Sequence, residues 1–304
     1  MQKPTSGVLY ALSAYLMWGL FPLYWKALAS VECLEILAHR IVWSVPFLFS
    51  VVLVKGQATH LYTIFGDRKS LLLVSASTVL IGISWITYIW SVLHNHTLEA
   101  TLGYFVSPLL SVALGVLVLK ESLSGFQKTA LFVAAASVLY YACSLGQFPW
   151  IAVTLATALA LYGFVKKCLS IEAAVSLTLE TLVLSGPAAA YLLSLNASQT
   201  LALRSAPPWI ATLLIGSGLV TSLPLLFYGK AAQHLPLSHF GFLQYLSPSI
   251  AFLISVFVFR EPFGKPQLFT FIGVSVAVAL TFLKRLAMQG KCRESRSTRP
   301  CCAE

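Results

Sequence analysis

Residues 98–127 read LEATLGYFVSPLLSVALGVLVLKESLSGFQ, and residues 238–267 read SHFGFLQYLSPSIAFLISVFVFREPFGKPQ. The second stretch follows the first by 140 positions and aligns with it without a gap. Ser107 and Pro108 fall on Ser247 and Pro248, Lys120 and Glu121 on Arg260 and Glu261, and Gln127 on Gln267. An apolar run with a central Ser-Pro and a charged end, met twice at a fixed spacing, points to a chain built from two related halves. In membranes such halves are common among carriers and uncommon among enzymes.

The composition says why a membrane is the right setting. Of 304 residues, 58% are hydrophobic and only 10% charged, and the mean hydropathy is +0.83. A soluble domain carries about 25% charged residues. A globule this apolar has no surface fit for water, so lipid must be its solvent. The formal charge of +10 does not call for nucleic acid, because Lys and Arg sit between apolar runs and in the C-terminal tail. Cys33, Cys143, Cys168, Cys292, Cys301 and Cys302 lack the spacing of a metal site, and Cys301-Cys302 is only a vicinal pair in a basic tail. No metal and no cofactor is expected. No GxxxxGK[ST] loop occurs, which argues for a gradient rather than ATP as an energy source.

A spanning helix needs about 20 mainly apolar residues. Ten segments qualify: 7–28, 34–54, 70–92, 99–119, 126–146, 149–166, 174–195, 208–229, 238–259 and 267–286. Ala27-Leu28-Ala29 mimics a signal-cleavage box, but the long preceding run with Trp18, Gly19 and Pro22 suits a retained span. With ten spans both termini share one side. That side holds Lys3, Lys55, Arg68, Lys69, Lys120, Lys128, Lys166, Lys167 and Lys230 together with the basic tail, against Lys26, Arg204, Arg260 and Lys265 opposite. The positive-inside rule then places both termini in the cytoplasm. Five spans per half is an odd number, so the second half enters from the opposite face. The expected fold is an all-α integral membrane protein of ten transmembrane helices in two inverted five-helix repeats, 1–146 and 147–286. Residues 287–304 form a disordered cytoplasmic tail. Inverted repeats encode two equivalent conformations with opposite openings, the basis of alternating access.

Several blocks resemble a known family. AYLMWGLFPLYWK (14–26), EILAHRIVWS (35–44), STVLIGISWITYIWSV (77–92) and LEATLGYFVSPL (98–109) are similar to the RarD proteins, in the EamA branch of the drug/metabolite transporter superfamily. So are YGFVKK (162–167), TLET (178–181), TSLPLLFYGKAA (221–232) and GFLQYLSPS (241–249) in the second half. The resemblance covers residues 7–286. It implies a bacterial inner (plasma) membrane location and movement of a small solute, and it names no substrate.

Ionisable residues inside spans are costly and so mark function or structural pairing. Arg40, in the second span, is a candidate to hold an anionic group. Its equivalent 140 positions on is Glu180, a candidate to carry a proton or meet a cation. The depths of the two predict a separation of about 12 Å along the normal, too far for a salt bridge, so each needs another partner. Glu35 and His39 share a helix face at i, i+4 and are further proton-coupling candidates, or a satisfied polar contact. Pro108 and Pro248 kink spans 4 and 9 and are candidate hinges. The residues around them, Tyr104, Gln244 and Tyr245, with Trp85 and Tyr88 on span 3, are candidates to line a substrate cavity. His94, Asn95 and His96 form a loop cluster without a third ligand at metal spacing. Ser111 and Gly115, and Ala251 and Ser255, have the small-xxx-small spacing of a close helix crossing, either internal or in a homodimer.

These readings converge on a secondary-active permease that moves a small organic metabolite or drug by alternating access. Proton coupling would run through Glu180, His39 or Glu35. The alternative is a membrane-embedded enzyme acting on a lipid-linked substrate, against which no nucleophile–base pair stands out. A third reading is a membrane component that stabilises a partner.

Overall fold

The computed structural model describes residues 4–59, 61, 64, 67–93, 96–144, 146, 148–169, 171–260, 264–266, 268–273 and 275–277. The expected tail at 287–304, the end of the tenth expected span, and Lys3, His94, Asn95, Glu261 and Gln267 lie outside the described residues. So does the side chain of Ser255.

The described residues are helical, with no strand among them. The elements are α1 (Pro4–Ala27), α2 (Cys33–Val54), α3 (Arg68–Leu93), α4 (Thr97–Leu117), α5 (Gly125–Ser144), α6 (Trp150–Cys168), α7 (Ala173–Ala197), the single turn α8 (Ala202–Ser205), α9 (Pro208–His234), α10 (Leu237–Gln244) and α11 (Leu246–Phe257). Among the described residues seven helices are long and apolar enough to cross a membrane. The other three apolar segments, Leu102–Leu117, Phe240–Ile254 and Leu268–Ala277, are shorter.

Polarity is distributed as lipid demands. Large apolar side chains face outward: Leu9 is 64%, Phe132 74% and Val183 64% exposed. Buried positions hold Glu35, Glu99, Lys166 and Glu180 and many hydroxyls. The hydroxyls are satisfied at short range, as when Thr78, Thr178 and Thr181 donate to carbonyls one turn back. Asp67 caps α3, its carboxylate accepting from the Lys69 and Ser70 amides at 3.1 and 3.2 Å.

The two Ser-Pro segments share backbone detail. Val118 N–H donates to Leu114 O at 3.0 Å, and Val258 N–H to Ile254 O at 2.9 Å. The next basic residue of each copy, Lys120 and Arg260, turns into the left-handed region at φ 55°. A non-glycine residue there is uncommon, so its recurrence 140 positions apart reflects one shared helix ending. The prolines themselves act differently. Pro108 lies inside the continuous α4, whereas the expected span 238–259 is broken at Tyr245, between α10 and α11, just ahead of Pro248.

Helix α1 packs against α9 and against α10 and α11, and α6 packs against α3 and α4. Helix α2 packs on α9 and α3 on α7, while α2 meets α7 and α4 meets α10. Two glycines allow the tightest approaches. A Cβ on Gly241 would lie 2.9 Å from Val112 Cγ2 and 3.0 Å from the Pro108 carbonyl oxygen. Ser111 is fully buried beside it, so this small-residue stripe serves an internal crossing. A Cβ on Gly218 would lie 2.6 Å from the Ser44 nitrogen, where α9 crosses the backbone of α2. Gly218→Ala should therefore destabilise the protein by about 1–3 kcal/mol. Gly186→Ala, where an added Cβ meets nothing within 4 Å, should leave it as stable or slightly more so. Thermal unfolding of both variants in detergent checks this, and equal midpoints would show that α2 and α9 are not in contact at Gly218.

Candidate functional site

The α2–α9 crossing positions the first polar group. The Ser44 hydroxyl donates to the carbonyls of Arg40 at 2.5 Å and Gly218 at 3.0 Å, clamping the two helices together. Thr221, about one turn beyond Gly218, then faces Arg40, whose Nε donates to Thr221 Oγ1 at 3.0 Å. The guanidinium carbon lies 4.8 Å from the Trp25 ring centroid and 5.5 Å from that of Trp85. Tyr88 and Tyr104, packed edge to face with ring centroids 5.9 Å apart, are its electrostatic neighbours. Arg40, Trp85, Tyr88 and Tyr104, expected at a substrate cavity from the sequence, are thus together. Trp25 and Thr221 are members that sequence reasoning did not name.

The equivalent position in the second half is furnished in another way. Glu180 and Lys166 are each 1% exposed and form an ion pair with Nζ 2.5 Å from Oε1. The same oxygen accepts from Ser77 at 2.5 Å and Ser176 at 2.8 Å, and Tyr162 donates to Oε2 at 3.2 Å. Lys166 also donates to Ser176 at 2.8 Å. Arg40 and Glu180 each have partners of their own and do not pair, in line with the separation expected. Lys166, expected as the last residue of the sixth span and counted among the cytoplasmic charges, lies inside the bundle. Helix α6 runs on to Cys168, and the carboxylate of Glu180 gives the ammonium a partner away from water.

Glu35 and His39 do face one another, with Nε2 3.6 Å from Oε1. Glu35 Oε1 also accepts the backbone N–H of Ala202 at 2.7 Å, so the carboxylate caps the start of α8. The other imidazole nitrogen, Nδ1, accepts from Trp43 at 3.2 Å. His39 and Trp43 border an open cavity of about 200 Å³ with Leu192, Leu193 and Asn196. His96, of the loop cluster, has its Nδ1 3.8 Å from Glu99 and stacks on Trp90.

The prolines remove the N–H groups that would have met the carbonyls four residues earlier. These belong to Tyr104 and Gln244, which are repeat equivalents. Gln244 lies beside the Tyr15 hydroxyl. Tyr245 is fully buried in a packed cluster with Phe105, Tyr141 and Phe242, and is not part of the Arg40 group. Its neighbour Gln244 turns the other way at the α10–α11 break, which no periodicity in the sequence announces.

The EamA-like transporter family matches residues 5–143. The uncharacterized transporter YojE of Bacillus subtilis is 42% identical over 277 residues, 90% of this chain and 92% of that protein. Protein RarD of Escherichia coli is 37% identical over 288 residues, 95% and 97% of the two chains. This chain is a RarD-type member of the EamA-like transporter family. A crystal structure only 14% identical in sequence superposes with a TM-score of 0.71, covering 92% of this chain and 98% of its own, so the fold extends well beyond the close relatives. The RarD-type chain is accordingly a multi-pass membrane protein and a transporter.

In a RarD-type protein the Lys166–Glu180 pair has a testable energetic signature. Glu180→Gln leaves a buried ammonium without its counter-charge and should cost about 3–5 kcal/mol. The double variant Glu180→Gln/Lys166→Met should recover most of that loss, because neither charge then remains. Thermal unfolding in detergent gives the comparison. Additive losses in the double variant would show that the two side chains are not coupled.

Proposed function

We propose that this protein is a secondary transporter that moves a small organic solute by alternating access. Its working parts are two inverted five-helix halves, 1–146 and 147–286, in a bacterial inner membrane with both termini and the 287–304 tail in the cytoplasm. The three shorter apolar segments complete the ten spans. The reading is supported by the way helix contacts map onto each other under the 140-residue shift. Contact α1–α9 corresponds to α6–α3, α1–α10/α11 to α6–α4, and α2–α9 to α7–α3, while α2–α7 and α4–α10 correspond to themselves.

One contact breaks the correspondence and carries the mechanism. Helix α6 packs on α9, with Tyr162 stacked on Tyr228 at 5.7 Å and Lys167 donating to the Leu235 carbonyl. The equivalent helices α1 and α3 make no contact of comparable extent among the described residues. A two-fold scaffold closed at one end and looser at the other is one of two exchangeable states. By the positive-inside assignment the closed end is cytoplasmic, and Arg40 with Tyr88 and Tyr104 faces the outer opening. Pro108 and Pro248 are the points where α4 and the α10–α11 segment bend during the exchange.

Of the proton-coupling candidates, Glu35 caps α8, and His39 accepts from Trp43 through Nδ1 with Nε2 turned to Glu35 at 3.6 Å. Coupling is assigned first to Glu180, whose carboxylate joins Ser77 of the first half to Lys166 of the second, so that protonating it would loosen a link between the halves.

In a background lacking the six native cysteines, Lys167→Cys and Leu235→Cys can be joined across the closed end by a short bis-methanethiosulfonate reagent, which spans the reach of the lysine side chain and is released by reduction. Protein in liposomes should take up solutes from a pooled metabolite extract, lose uptake on cross-linking and regain it on reduction. Uptake that survives complete cross-linking would sink alternating access. Conversion of a solute without movement would favour the embedded enzyme. The Glu180→Gln/Lys166→Met protein should transport without regard to an imposed pH gradient, and an unchanged gradient dependence removes Glu180 from coupling.

A further inference from the structure

Arg40 is unusual among the charged groups inside the bundle. Lys166 and Glu180 neutralise each other, and Glu35 and Glu99 accept backbone N–H groups at helix starts. The guanidinium of Arg40 spends only Nε, on a neutral hydroxyl, and among the described residues nothing accepts from its two terminal nitrogens. An uncompensated cation inside a membrane is expensive, so its retention calls for a partner that is not part of the chain.

The surroundings define that partner. Two indole rings flank the guanidinium carbon, and the terminal nitrogens, with no acceptor among the described residues, are the paired donors that match a planar two-oxygen acceptor. Tyr88, Tyr104 and Thr221 bring further hydroxyl groups, and among the described residues no acid forms an ion pair with Arg40. The contacts described around Arg40 bring together one cation and neutral side chains, a charge that a single carboxylate balances. Trp25, Trp85, Tyr88 and Tyr104 offer the rest of the ligand flat, apolar contact.

We propose that the site takes a monocarboxylate, with its carboxylate on the Arg40 edge and a planar or apolar body against the four aromatic rings. The proposal rests on the transporter reading above and names the solute class of that same site. The negative charge is met by Arg40, and Arg40 is also what excludes amines of the same shape.

Reconstituted full-length protein, supplied with a pooled bacterial metabolite extract, gives the test, with internalised solutes resolved by mass spectrometry. The solutes that accumulate over protein-free liposomes should be monocarboxylates. Their uptake should fall about tenfold or more in Arg40→Gln, the scale of losing a charged hydrogen-bonded contact. Arg40→Lys keeps the charge but not the paired donors, so it should keep the preference for acids at reduced uptake, and it serves where Arg40→Gln does not fold. Accumulation of amines, neutral compounds or phosphate esters instead, or acid uptake indifferent to both substitutions, overturns the proposal and leaves the transporter standing. Absence of any solute movement overturns the transporter reading, and this inference with it.

Discussion

A charge held in hydrocarbon has no water to fall back on, and the buried acids of this protein are placed accordingly. Glu35 accepts from the amide of Ala202 and Glu99 from that of Ile151, and the half-buried Glu121 accepts from that of Leu237, each at 2.7 Å. These amides open α8, α6 and α10, where helix N–H groups lack intrahelical partners and the helix dipole favours a negative charge. Every one of these links runs from the first half of the chain to the second. Glu180 meets the same constraint with Lys166 and three hydroxyls. The polar groups that cannot be left bare thereby fasten the halves to one another, while the lipid-facing surface remains apolar.

Against that background the symmetry of the scaffold and the asymmetry of its chemistry are separate facts. The helix endings at Lys120 and Arg260 have the same φ, and the helix contacts exchange under the same shift. The side chains at equivalent positions do not. Lys166 corresponds to Lys26, yet Lys166 is buried against Glu180 while Lys26 is exposed and lies over the Phe259 ring at 5.1 Å. Tyr228, which stacks in the α6–α9 contact, corresponds to Tyr88, which stands by Arg40 instead. The backbone repeats under the shift, and the side chains mounted on it do not.

Much of this was legible in the sequence because bilayer physics leaves a strong imprint. Span length, charge bias and the repeated Ser-Pro segment predicted helices close to those observed, and the cost of intramembrane charge singled out Arg40 and Glu180. What escaped was set by tertiary geometry. Lys166 precedes Lys167 at the very end of the expected sixth span, so on sequence it reads as a cytoplasmic charge, and only the course of α6 and the position of Glu180 bury it. Thr221 and Trp25 carry no signal apart from many other residues of their kind. Thr221 meets Arg40 because Gly218 lets α9 rest on the α2 backbone, and Trp25 comes to it from α1. The prolines read alike but differ in outcome, since α4 tolerates Pro108 in mid-helix whereas the helix before Pro248 breaks at Tyr245.

The unequal charges also bear on how binding and movement are tied together. The second half is already neutral at its buried site, so its packing is complete without a ligand. The first half is not. On the carrier reading proposed above, closing the outer helices over Arg40 alone would bury a guanidinium whose terminal nitrogens have no acceptor among the described residues, which low-dielectric burial penalises heavily. A carboxylate there would supply the missing charge and acceptors, as Glu180 does for Lys166. Occupancy would then lower the cost of the change of state, and the residue proposed to select the solute would also tie turnover to its presence.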